Sequence, residues 1–123
     1  MRFLSFKTDN HTGVGWIKDA SSETFVDLSL LGLDLPADLK TLIATKGAMA
    51  AAHTAAQKAP ASAIRTLSSV ELLPLIPNPG KIVCMGLNYA DHAKEGGNAR
   101  PEYPSFFMRG ATSMVGHQGA IVR

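Results

Sequence analysis

Short alternating apolar and polar runs open this chain, give way to a helical period, and then return as isolated apolar runs. Met1 to Lys7 (MRFLSFK) alternates loosely and predicts a strand. Asp9-Asn10-His11-Thr12-Gly13 is a turn cluster, and Val14-Gly15-Trp16-Ile17 predicts a second strand that closes a hairpin. A further turn at Asp19-Ala20-Ser21-Ser22 leads into Glu23 to Asp27, a third strand, so the opening reads as an antiparallel meander. The period then changes. Asp34 can cap, Pro36 suits a first turn, and Leu39, Leu42 and Ile43 recur at i, i+3, i+4. After Gly47, the alanine-rich run Ala48 to Lys58 predicts a second helix by propensity, ending before Pro60. Pro60-Ala61-Ser62 reads as a loop, and Val70 to Leu73 as a strand or an extended approach to a boundary.

Pro74, Pro77, Asn78, Pro79 and Gly80 crowd together next. Each proline removes a backbone donor and restricts its predecessor, which marks a linker. Residues 1–73 are therefore expected to form a small N-terminal α/β domain and 74–80 a Pro-rich connector. Beyond it, Ile82-Val83-Cys84-Met85 has the length and branching of a buried strand, ended by Gly86. Asn88 stands where a helix N-cap belongs, with Asp91 as an imperfect capping box and Gly96-Gly97 as the stop. Ser105 to Met108 predicts another strand, and Ala120-Ile121-Val122 the start of one more.

Composition narrows the functional classes. Over 123 residues, 46% hydrophobic and 18% charged content describes a globular chain long enough for one domain, or for one small domain and part of another. The net charge of +2 comes from scattered basic residues, so nucleic acid is not an expected partner. No apolar run approaches the roughly 20 residues of a membrane span, and the N-terminus lacks a signal-peptide pattern, so a cytoplasmic, membrane-free location is expected. The single cysteine, Cys84, cannot form an intrachain disulfide and reads as a small core residue. His11 is expected at the surface, and His53 facing solvent or a neighbouring helix.

The stretch that carries chemistry is Lys81 to Gly97, KIVCMGLNYADHAKEGG. His92 and Glu95, three apart, would present an imidazole and a carboxylate on one face of a helical turn. On spacing alone this is equally a solvated face. Asn88, Tyr89, His92 and Glu95 also crowd one turn after a strand, which is where functional residues concentrate.

The string G-L-N-Y-A-D-H-A-K-E after K-I-V-C resembles the opening of the catalytic domain in the fumarylacetoacetate hydrolase superfamily. The resemblance continues through Pro104 to Arg109 and Ser113 to Gly116 as far as Ile121-Val122. It implies an α+β architecture: the small N-terminal domain with its meander, then, over 81–123, the incomplete start of a mixed, β-rich catalytic domain. It also implies an enzyme that hydrolyses C–C bonds of 2,4-dioxo acids such as acylpyruvates. His92 would be the general base acting on water and Glu95 its carboxylate partner. Arg109 would hold a substrate carboxylate, Ser113 would shape a loop or touch substrate, and Tyr89 would pack.

The family holds magnesium or manganese through an E-x-E pair and a further carboxylate. No E-x-E occurs in this chain, and Glu102 is the one carboxylate side chain after Glu95. No metal is therefore expected on this chain alone, nor activity from it. The implied partners are a small 2-oxo acid and further copies in a homo-oligomer. Two alternatives stand beside hydrolysis: isomerase or decarboxylase chemistry on hydroxymuconate-like diacids, and a non-catalytic truncated module.

Overall fold

The computed structural model describes residues 1–86, 89–97, 99 and 102–121, without the side chains of residues 90, 92 and 93. It is a mixed, β-rich chain with few helices. Two compact units divide it: Met1–Asn78 together with the described residues from Val115 onward, and Pro79–Met114.

In the first unit, β1 (Arg2–Lys7), β2 (Thr12–Ile17) and β3 (Thr24–Asp27) form the expected meander. β1 and β2 pair antiparallel from Arg2↔Ile17 to Lys7↔Thr12. Two short strands complete a five-stranded sheet: β4 (Ile64–Thr66) beside β3, and β5 (Glu71–Leu72) beside β1, in the order β4-β3-β2-β1-β5. A 3-10 turn over Ala61–Ala63 leads into β4.

The alternation along β2 explains the two faces of the sheet. Val14 and Trp16 point to one side, where they meet Val26, Leu28 and the helices α1 (Leu39–Ala44) and α2 (Ala48–Ala56). Ala48, Ala52 and Ala56 recur every four residues along α2, and their small side chains let it seat closely on that core. Gly13 and Gly15 face the other side, where Phe6 and Phe25 pack with ring centroids 4.9 Å apart. A Cβ on Gly13 would stand 3.0 Å from the Phe6 ring, and one on Gly15 would run into Phe25. Both rings are buried because β2 has no side chains there.

Helix α1 begins later than the sequence suggests. Asp38, not Asp34, is its cap, accepting from the Thr41 N–H at 2.9 Å. Leu39 and Leu42 are buried, while Ile43 is exposed. His53 lies edge-on to Trp16, 5.7 Å between centroids, so it contacts the sheet.

In the second unit, β6 (Ile82–Gly86) pairs antiparallel with β7 (Ser105–Arg109), from Ile82↔Arg109 to Gly86↔Ser105. α3 (Ala90–Glu95) follows β6. The burial expected for the β6 run is not found. Its residues alternate between half-buried and exposed, Cys84 is half-buried, and all five residues of β7 are exposed. Two strands alone cannot cover both of their own faces. Ala120 and Ile121 are irregular, not the start of a strand; the turn before them is closed by Gly119 N–H on the Gly116 carbonyl at 3.0 Å. Val122 lies outside the described residues.

Candidate functional site

The strand and the helix read from the sequence are both present. β6 ends at Gly86 and α3 starts at Ala90, so the backbone sets His92 and Glu95 one turn apart on α3. The helix is stopped at Gly97, whose φ of 66° is the left-handed conformation that glycine takes without penalty; its N–H bonds the Lys94 carbonyl at 3.1 Å. Glu95 and Asp91 are exposed. Asn88 lies outside the described residues, as does the side chain of His92. Tyr89 is 73% exposed, which does not match the packing role expected of it.

The register of the hairpin places the other two candidates elsewhere. Ser105 pairs with Gly86 at the end from which the chain leaves toward α3, whereas Arg109 pairs with Ile82 at the opposite end. Four strand steps separate them, about 13 Å along β7. The Arg109 guanidinium lies 5.6 Å from the Phe107 ring centroid, a cation–π contact. Ser113 sits in a 3-10 turn, and its hydroxyl donates to the Gly110 carbonyl at 2.8 Å. That hydroxyl is therefore engaged in shaping the turn after β7.

Hard divalent cations need several oxygen donors gathered at one point. Among the described residues no group of three or more His, Cys, Asp or Glu side chains is so gathered, and Asp91, Glu95 and Glu102 are all exposed. The described residues do not gather a donor set that fits a metal centre.

A second polar constellation escaped the sequence reading. Asp27, fully buried, accepts from the backbone N–H and hydroxyl of Ser29 at 3.0 and 2.6 Å, and from Arg65 Nε at 2.7 Å. His11 approaches that site from the β1–β2 turn, its Nε2 3.7 Å from Asp27 Oδ2 and its ring edge-on to Phe6. Arg65 belongs to a strand of three residues, too short to show a period. The signal that could have flagged the cluster was an Asp closing an otherwise apolar strand, Phe25-Val26-Asp27.

Residues 81–123 match the model of the fumarylacetoacetate hydrolase C-terminal region, and the likeness to that superfamily is carried by this segment. Three relatives show how far the likeness runs. An uncharacterized protein of Archaeoglobus fulgidus is 43% identical over 56 residues, 46% of this chain and 22% of its own length. Oxaloacetate tautomerase YisK of Bacillus subtilis is 44% identical over 61 residues, 47% of this chain and 20% of its own. The mitochondrial oxaloacetate tautomerase FAHD2A of Bos taurus is 29% identical over 126 residues, which takes in 99% of this chain and 39% of that protein. The chain thus spans well under half the length of these relatives. Among the described residues no helix is long and apolar enough to cross a membrane.

Proposed function

We propose that this chain serves proton-transfer chemistry on a short 2-oxo diacid, with oxaloacetate as the reference substrate. The observation that carries the reading is the pairing of α3 with the comparisons. His92 and Glu95 stand one helical turn apart inside the matched segment, and the likeness across nearly the whole chain is to a protein named oxaloacetate tautomerase.

Keto–enol exchange needs a base to take a proton from C3, which the flanking carbonyls acidify, and an acid to deliver one to the C2 oxygen. An imidazole can do both in turn, because its charge changes within the physiological range. His92 is assigned that role and Glu95 the orientation of the ring. Arg109, whose planar fork suits a carboxylate, is assigned substrate binding. Ser113 is assigned the turn that follows it. The magnesium or manganese of the family belongs, in this reading, to donors other than the described residues, and a homo-oligomer in the cytoplasm is its proposed setting. Tautomerisation is preferred to C–C hydrolysis because it requires no activated water, and because two of the relatives above carry the tautomerase name.

The test joins residues 1–123 to the part of the Bacillus subtilis relative that follows its matched segment. The joined protein is assayed, with magnesium present, on enolic oxaloacetate and on an acylpyruvate. Faster decay of the enol with the acylpyruvate left intact is the expected result. Cleavage of the acylpyruvate without any effect on the enol would overturn the assignment in favour of the hydrolase.

A further inference from the structure

We propose that His11 and Asp27 form a proton-operated latch between the β1–β2 turn and the end of β3. The inference does not depend on the activity proposed above. It starts from an account of hydrogen-bonding capacity. An ionised carboxylate offers about four acceptor positions. At Asp27, Oδ1 takes the Ser29 N–H and hydroxyl, and Oδ2 takes Arg65 Nε at 2.7 Å. One position on Oδ2 stays open. Facing it at 3.7 Å is His11 Nε2, a buried nitrogen with no hydrogen-bond partner. The two unfilled groups are each other's neighbours, separated by slightly more than a hydrogen bond allows.

Thr8, on the other side of the ring, accommodates the tautomer with hydrogen on Nε2. Thr8 Oγ1 receives the N–H groups of Asn10 and His11 at 3.4 and 3.2 Å, which occupies its lone pairs. Its own proton can then go to His11 Nδ1, 3.1 Å away, which leaves hydrogen on Nε2 aimed at Asp27. In neutral imidazole that contact is weak and long. In imidazolium, Nε2–H becomes a charged donor to a buried carboxylate, and such bonds are shorter and about twice as strong. Nδ1–H then competes for Thr8, whose proton has a second acceptor in the His11 carbonyl at 3.2 Å. Acidification is thus expected to draw the turn onto β3.

The charges around the imidazole come from known directions. Asp27 reaches it from β3 and Arg65 from β4. Arg65 opposes the added charge, but it is already bound to the same carboxylate and is one-third exposed. Lys7 on β1 pairs with Glu71 of β5 at 3.5 Å, β2 brings Gly13 beside the ring and carries no ionisable side chain, and Asp9 of the turn itself is exposed.

Amide hydrogen exchange on the 123-residue chain, corrected for intrinsic rates, tests the latch between pH 8 and pH 5. Protection of the Thr8 amide, which closes the turn on the His11 carbonyl at 2.8 Å, is expected to rise about 3- to 10-fold on acidification. It should stay flat in His11→Gln, which keeps a polar, uncharged side chain. His11→Phe serves as a second variant should the glutamine disturb the turn, and it too should show no rise. Equal rises in the wild type and in either folded variant, or no rise in the wild type, would overturn the proposal.

Discussion

Replacing Arg65 by methionine isolates what the buried carboxylate contributes to the N-terminal unit. Asp27 has no exposed surface, and among the described residues Arg65 supplies its charge-compensating hydrogen bond, Nε to Oδ2 at 2.7 Å. Breaking a fully buried ion pair by removing one partner costs about 3–5 kcal/mol. Two features reduce that figure here. Arg65 is one-third exposed, so water already screens it, and Oδ1 keeps both bonds from Ser29. The expected loss is about 2–3 kcal/mol. The double variant Asp27→Asn/Arg65→Met should recover part of it, because a neutral amide can still accept from Ser29 and needs no cation. A coupling of about 1–3 kcal/mol between the sites is expected. Urea unfolding reads both, since the chain has one tryptophan, Trp16, buried in this unit. A loss below about 0.5 kcal/mol, or strict additivity of the two changes, would refute the reasoning.

Two further changes probe other parts of the same unit. Gly15→Ala should destabilise it by about 1–3 kcal/mol in the same assay, because the added methyl meets the buried Phe25 ring and Leu4. At the start of α1, the Thr41 backbone N–H, followed by its side chain, holds the Asp38 carboxyl below its ordinary value of 3.8. A depressed carboxylate contributes stability that is present above the unfolded value and lost as pH falls through the folded one. Protection of the Thr41 amide should therefore persist at neutral pH and fall away in acid below that value, and Asp38→Ala should remove this pH dependence.

Much of this architecture was legible because its signals are local. The three meander strands carry alternation over four to six residues and are punctuated by Asp, Asn and Gly turns. The α3 segment is bounded by Gly86 and Gly97, and its extent followed from them. Contributions made at long range were not legible. β4 has three residues and exists only through pairing with β3, whereas β5 lies inside the run Val70 to Leu73 already read as a strand or extended approach. The capping choice between Asp34 and Asp38 depends on where Leu39 and Leu42 must sit to reach the core. For the candidate site, one helical turn was enough to put His92 and Glu95 together. Hairpin register, which no single strand reveals, set Arg109 at the far end from α3.

The assignment of His92 as the proton-transfer group is the central claim, and replacing it in the joined protein described above tests it most directly. The rate of enol-to-keto conversion of oxaloacetate is measured for His92→Ala beside the unsubstituted protein, with circular dichroism confirming equal folding. Loss of a general acid–base group typically lowers the rate by about 10²- to 10⁴-fold, and a fall in that range is expected. Glu95→Gln should fall less, since its assigned part is to orient the ring. An unchanged rate in His92→Ala would contradict the account.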